Sequence, residues 1–286
     1  MNNHPVWRFE RQMPEGREFE IYHSLNTTPQ PKIYHSHHYY ELYFILRGSI
    51  RVIAEESDVV PVIGDALIYP PHCMHRVTHT DPAQPYERFY LYLSKEFLET
   101  ISTDGFSFIE ALDRLADGGR CCIRLGEQAV TSLVPMADEI IEAARDTSPL
   151  AILGNRCRMI LFLIHLLGLM EKSVASTAAD SSSRMSDLLR YINQNAAKPL
   201  PLDHLAEVFG SSKYTLLHDF KAHTGMTIHQ YLLTRRVMFA QQLIVDGVKP
   251  RQAAVQSGFT DYTSFYRAFK SRTGKSPVQY GKATAE

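Results

Sequence analysis

A chain of 286 residues, 44% hydrophobic and 21% charged, is long enough for two folded domains and is neither a disordered nor a collagen-like polymer. Its formal net charge of −1 hides an asymmetry: from Arg184 to the end there are 14 Lys and Arg against 7 Asp and Glu, whereas residues 1–183 hold 16 and 24. A basic half joined to an acidic half predicts that one half meets a polyanion, and four cysteines without framework spacing, two of them adjacent, exclude a disulfide scaffold.

The opening stretch MNNHPVWRFERQMPEG has neither the apolar run nor the cleavage site of a signal peptide, so the chain is expected in the cytoplasm. From about residue 15 to about 95 the pattern has period two, in short runs such as YELYFILRGSIRVIAE, VVPVIGDALIYPP and ERFYLYLS, punctuated by Gly48, Pro61, Gly64 and Pro70-Pro71. Short strands separated by turns predict a sandwich or barrel. Within it, HSHHYYELYFILRG (35–48) sets three histidines and a glutamate before an alternating run. On one strand His35, His37 and Glu41 share a side, His38 lies opposite, and Tyr43 and Arg47 follow the first three. Tyr69 and His75 in the next punctuated stretch are further candidates. Imidazole with carboxylate suits Zn, Fe, Ni or Mn. A metal site, an organic-ligand pocket and a merely structural polar face are all open on these residues.

From SKEFLETI onward the period becomes helical, through about residue 172. Residues 128–172 hold two helices, broken at DTSPL, where Pro149 ends one and opens the next. The apolar run MILFLIHLLGLM (159–170) is shorter than the roughly 20 residues that span a bilayer. It is expected to pack on the barrel and to share in a dimer seam. SVASTAADSSSRMSD (173–187) reads as a flexible linker, separating a domain at 1–172 from one at 188–286.

The last third carries an imperfect repeat. LAEVFGSSKYTLLHDFKAHTGMT (205–227) is echoed by AAVQSGFTDYTSFYRAFKSRTGKS (253–276), with Phe220-Lys221 matching Phe269-Lys270 at an offset of 49 and Ala206 matching Ala254 at 48, so the second copy has one extra turn residue. Helix, glycine-containing turn and aromatic, basic helix describe a helix-turn-helix, whose second helix enters the major groove. Leu216 and Phe220 would face the core, leaving Ser212, Lys213, Tyr214, Leu217, His218 and Lys221 outward. In the second copy Phe265 and Phe269 would be buried, leaving Tyr262, Thr263, Ser264, Arg267 and Lys270, with Arg267 able to fork onto guanine. Between them a helix from Thr227 to Val245, capped by Gly247, would span about 28 Å, short of the roughly 34 Å between major grooves on one face. Docking of both recognition helices should therefore bend the DNA or leave one incompletely seated.

The segment from about Leu188 to Tyr280 resembles the DNA-binding domain of the AraC/XylS family of bacterial transcription regulators, through LA at 205–206, YTLLHDFKAHTG, RRVMFAQQLI, GFTDYTSFYRAFK and GKSPVQY. It departs from the family at Ala253-Ala254, where a bulky apolar residue usually precedes the alanine. The spacing His35-x-His37-x3-Glu41-x6-Gly48 with Gly64-x5-Pro70-x4-His75 resembles the two motifs of the cupin β-barrel, in which His35, His37, Glu41 and His75 would converge on a metal. His72 stands where the second cupin motif has glycine, and His79 where it has asparagine. Sensor domains of the regulator family resemble cupins but are usually metal-free.

Together these features predict an α+β two-domain protein: an N-terminal cupin-like β-barrel followed by helices, and a C-terminal all-α domain with two helix-turn-helix motifs. The resemblance implies a ligand-responsive regulator, more often an activator, that is homodimeric and binds double-stranded DNA. A small-molecule effector such as a carbohydrate would bind at His35, His37, Glu41, Tyr43, Arg47, Tyr69 and His75. RNA polymerase is the further partner the resemblance implies, and neither a membrane nor catalysis is expected. No cofactor is expected, a divalent metal being the less favoured alternative. The rivals are a metal-dependent cupin enzyme fused to a DNA-binding domain, and a metal or redox sensor in which Cys73, His72 and His75 add ligands.

Overall fold

A computed structural model describes residues 7–9, 13–14, 16–27, 34–54, 57–81, 83–117, 120–176 and 184–283. Two compact units divide the chain near residue 182. After a short strand β1 (Trp7–Phe9), the first unit contains β2 (Phe19–Asn26), β3 (Tyr34–Ser36), β4 (Tyr40–Arg47), β5 (Ile50–Ala54), β6 (Ser57–Val59), β7 (Asp65–Tyr69), β8 (His75–His79), β9 (Tyr86–Leu93) and β10 (Cys122–Arg124). One antiparallel sheet runs β10-β7-β4-β9-β2, and β3, β8, β5 and β6 are neighbours in a second.

Both faces of the central strands of the first sheet are buried, so their alternation separates a mainly apolar face from one that mixes aliphatic side chains with tyrosines and charged groups, rather than core from solvent. Leu42, Phe44, Phe89, Leu91 and Leu93 turn to a core shared with helices. Tyr43, Ile45, Leu67, Tyr69 and Tyr86 turn to a second cluster, shared with Ile50, Val52 and Ala54 of β5. At the β4 to β5 turn Gly48 has φ 106, and a Cβ there would lie 2.7 Å from the Pro85 carbonyl oxygen, so glycine lets β9 start close by.

The helices are α1 (Lys95–Ile101), α2 (Phe108–Ala116), α3 (Glu127–Ala143) and α4 (Pro149–Ser176). Ser94 and Ser107 cap the first two by accepting from the N–H of Phe97 and of Glu110. Helix α2 buries Phe108, Ala111, Leu112 and Leu115, and α3 buries Ala129, Leu133, Ala137 and Ile140, both at helical spacing. From α4, Met159, Phe162, Leu163, Leu166, Leu167 and Met170 enter the same core, at about 1.5–3 kcal/mol for each fully buried side chain.

The expected break at Pro149 is observed, but two stretches differ. A strand, β10, returns to the sheet at 122–124 inside the stretch read as helical, pairing with β7. Only three residues long, it carries too little alternation to register. The span read as linker, 173–187, is partly helical: α4 runs to Ser176 and α5 starts at Arg184, with 177–183 outside the described residues. Helix α4 extends beyond the apolar run 159–170 and by length and composition alone is long enough to cross a membrane, but that run places Met159, Phe162, Leu163, Leu166, Leu167 and Met170 in the core, as a helix packed on the sheet does.

The second unit contains α5 (Arg184–Asn195), α6 (Leu202–Val208), α7 (Lys213–Thr224), α8 (Ile228–Val245), α9 (Pro250–Gln256), α10 (Tyr262–Thr273) and α11 (Pro277–Ala283). The sequence repeat is also a repeat of hydrogen bonds. Helices α7 and α10 end on left-handed Gly225 and Gly274, which donate to the carbonyls of Lys221 and Lys270. Thr224 and Thr273 hydroxyls donate to the carbonyls of Phe220 (2.7 Å) and Phe269 (2.9 Å). The turn between α9 and α10 is one residue longer than that between α6 and α7, as the offsets require. Gly258, in the longer turn, has φ 89 and would place a Cβ 2.5 Å from the Ala197 carbonyl oxygen. Ala253 and Ala254 are buried with Phe259, Phe265 and Phe269 against α8.

Candidate functional site

The strand registers bring a line of side chains to one face. Glu41 lies opposite Tyr69 on β7 and Tyr92 on β9, Tyr43 opposite Leu67 and Tyr90, and Ile45 opposite Arg88. Across from them His35 pairs with His75. The sheets meet where the Tyr69 and His75 rings stack with centroids 3.8 Å apart. His37, Glu41, Tyr69 and His75 are fully buried.

Glu41 is the centre of a polar cluster. Its Oε2 lies 2.7 Å from His37 Nε2 and 3.0 Å from His75 Nε2. Burial pushes the carboxyl up, but the His37 and His75 imidazoles overcome that and hold it well below the usual carboxylate range. His37 Nδ1 donates to the Tyr39 carbonyl at 2.8 Å, so both of its ring nitrogens are engaged within the protein. His75 Nδ1 donates to the Cys73 carbonyl at 3.1 Å. His75 Nε2, although close to Glu41, lies outside hydrogen-bond geometry. One ligand atom each from His35, Glu41 and His75 lie within 4.8 Å of one another, a set able to hold a divalent ion. His37 is not in that triad, so the four-residue metal set suggested by the spacing contracts to three with His37 behind Glu41.

Two expectations need correction. The parity linking His35, His37 and Glu41 assumed one strand, but β3 ends at Ser36 and β4 begins at Tyr40, so His37 lies in the connection. A bulge between Ile45 and Arg47 reverses the pleat, leaving Arg47 exposed and outside the cluster. His38 is exposed, as expected. His72 keeps the backbone its motif assigns to glycine, with φ 65, and its N–H donates to the His37 carbonyl at 2.7 Å.

Other members of the site went unread. Tyr86, Arg88, Tyr90 and Tyr92 lie on β9 at period two, opposite in facing to Phe89, Leu91 and Leu93. The run ERFYLYLS contained that signal. The Arg88 guanidinium lies over the rings of Tyr86 (4.4 Å), Tyr90 (5.2 Å) and Tyr43 (5.5 Å). Glu41 Oε1, the Tyr69 and Tyr86 hydroxyls, His79 Nε2 and Arg88 Nε are buried with no hydrogen-bond partner among the described residues. Such groups cost free energy unless something else meets them.

The second unit presents α7 and α10. Leu216, Phe220, Phe265 and Phe269 are buried as expected. Ser212, Lys213, Tyr214, Leu217, His218, Lys221, Thr263, Ser264, Arg267 and Lys270 are exposed. Tyr262 is half-buried, its ring 5.5 Å from that of Phe265 and under the Arg251 guanidinium. Lys213 is ion-paired with Asp203. Some basic residues serve the fold: Arg236 donates to the carbonyls of Ala196 (2.8 Å) and Lys198 (2.9 Å), and Arg272 to Thr234 (3.3 Å).

Comparison with known proteins places both units. The AraC-like ligand binding domain family matches residues 19–163, and the helix-turn-helix domain family matches 205–283. The HTH-type transcriptional activator RhaS of Salmonella schwarzengrund is 25% identical over 248 residues, 85% of each chain. The HTH-type transcriptional regulator YbfI of Bacillus subtilis is 34% identical over 86 residues, so this chain spans only 31% of that relative's length. The solved structure of ToxT from Vibrio cholerae covers 93% of this chain and 98% of its own at 14% identity and a TM-score of 0.39. A two-sheet β domain matched by the ligand-binding family, followed by a paired helix-turn-helix unit, makes this chain a DNA-binding transcription regulator that belongs to the AraC family.

Proposed function

We propose that the barrel binds a small polar effector, of the carbohydrate class, and that binding changes how a cytoplasmic homodimer engages DNA to activate transcription through RNA polymerase. The observation that carries the effector site is the buried set of unsatisfied polar atoms around Glu41, Tyr69 and Tyr86. Hydroxyl-rich ligands supply the donors and acceptors such a wall lacks, while tyrosine faces supply apolar contact. The effector acts through its differential affinity for two arrangements of the chain. Arg267 reads a base edge, and Lys221 and Lys270 hold phosphates. The enclosed triad His35, Glu41 and His75 is read as part of the ligand wall rather than a catalytic centre.

Helix α4 supports the dimer. Its exposed Leu150, Leu153, Leu161 and Ile164 are 54–80% accessible, and with exposed Cys157 they are spaced 3, 4, 4 and 3 along the helix. That spacing reads the same in both directions about Cys157. An antiparallel pair on a two-fold axis through Cys157 would set Leu150 against the partner's Ile164 and Leu153 against the partner's Leu161, the self-complementarity an isologous interface needs.

The test is a thermal-shift screen of sugars and polyols, each positive then titrated while DNA affinity is measured on a site selected by the protein from random sequence. A supporting compound stabilises the protein, changes DNA affinity and loses both effects in Glu41→Gln. Compounds that stabilise Glu41→Gln equally would overturn the assignment of the barrel.

A further inference from the structure

Arg88 is a cation of the wall hydrogen-bonded to a neutral side chain. It sits on β9, opposite Ile45 of β4 and Ser24 of β2, two rows along the same face from Glu41, with the Tyr43 and Tyr90 row between them. Its Nη1 donates to the Asn26 side-chain oxygen at 2.5 Å, a neutral partner. No carboxylate lies within ion-pair distance of it among the described residues. Its neighbour on the strand, Glu87, turns to the other face and pairs with His23 at 2.8 Å. The ring faces of Tyr43, Tyr86 and Tyr90 surround the guanidinium, and its Nε is buried without a partner. Burial pushes the Tyr43 and Tyr86 phenols up, so neither supplies a negative charge. Glu41, the buried carboxylate of the wall, is taken by His37 and His75.

A guanidinium held this way has a planar fork suited to a carboxylate and no charge to neutralise it. Resting on the reading that the barrel is the effector site, we propose that the effector carries an anionic group, a carboxylate, which pairs with Arg88 while its hydroxyls meet Glu41, Tyr69 and His75. A sugar acid or another hydroxy acid has that pattern. A hydroxyl of a neutral sugar can accept from Arg88 Nε, but it brings no charge to balance the guanidinium.

The experiment compares full-length wild type, Arg88→Met and Arg88→Lys by thermal unfolding at fixed ionic strength. Probes are matched pairs: galacturonate with galactose, gluconate with sorbitol, lactate with 1,2-propanediol and benzoate with benzyl alcohol. Without probe, Arg88→Met should unfold at or above the wild-type temperature, because a charge without a counter-charge is removed. Clear destabilisation of both variants would overturn the proposal by making the guanidinium structural. With probes, a carboxylate should stabilise wild type more than its neutral partner, and Arg88→Met should weaken its binding roughly 10- to 100-fold. Arg88→Lys should keep the preference for the anion at reduced affinity. A neutral compound whose effect is lost in Glu41→Gln but survives Arg88→Met overturns the anion and leaves the effector site standing. Stabilisation by any probe that survives both substitutions overturns the effector site itself. If no probe shifts any protein, the comparison without probe decides.

Discussion

The roles proposed for Arg267 and Lys221, base reading and phosphate binding, can be separated in one assay. Both are exposed, on α10 and α7 respectively. Among the four Lys and Arg assigned to the recognition faces, Lys213 is already ion-paired with Asp203, leaving Lys221, Arg267 and Lys270. Each phosphate contact adds about 0.9 to the slope of log affinity against log salt. Lys221→Ala should therefore flatten the slope by about 0.9 per chain, or about 1.8 for a dimer. Over a four-fold rise in salt, each lost contact corresponds to roughly a 3.5-fold difference. The loss should be equal on selected and scrambled DNA. A forked arginine-guanine contact is worth about 1–3 kcal/mol, so Arg267→Ala should cost roughly 5- to 150-fold per half-site on the selected sequence and far less on scrambled DNA. Fluorescence anisotropy on both duplexes, from about 50 to about 200 mM NaCl, reads both quantities. An unchanged ratio of selected to scrambled affinity in Arg267→Ala would refute the placement of α10 in the groove.

The α4 seam predicts that a short bifunctional thiol reagent links two chains through Cys157, with the product lost in Cys157→Ser and the dimer lost in Leu161→Glu; a wild-type monomer in sedimentation would end that reading. Glu41, held below its usual value, contributes stability that is fully present above about pH 4.5 and is lost as pH falls through the lowered folded-state value. The urea midpoint should thus fall more steeply between about pH 5 and about pH 3 in wild type than in Glu41→Gln, and parallel curves would contradict the linkage. Gly258→Ala combines a left-handed backbone, costing about 1–2 kcal/mol, with the close approach to Ala197, so its unfolding free energy should drop by at least about 2 kcal/mol. A loss under about 0.5 kcal/mol would show that the turn relaxes freely.

The helix-turn-helix pair was legible because everything that defines it is local. Caps, a buried apolar pair four residues apart and terminal glycines recur in each repeat, and the extra turn residue can be counted from two offsets. The barrel was less legible because its sheet is buried on both faces. Where solvent does not mark the outside, period two identifies a strand without saying which side looks inward, so Tyr43 could be placed by its link to Glu41 while Arg88 could not. Position along the strand was vulnerable too: one inserted residue at Leu46 sends Arg47 outward, and the break after Ser36 places His35 and Glu41 in different sheets. They meet through folding, not through the pleat that suggested them.

The connecting helix α8 has 18 residues, about 27 Å of rise, between two recognition elements whose targets on straight DNA lie about 34 Å apart. If both dock, the duplex must shorten that distance by bending, at an elastic cost of about 1–6 kcal/mol set by the stacking of base pairs that no side chain reaches. The fixed length of one protein helix then becomes a preference among DNA sequences. Sites with yielding pyrimidine-purine steps at the centre should be occupied ahead of sites with the same contacted bases and a stiff A-tract between them.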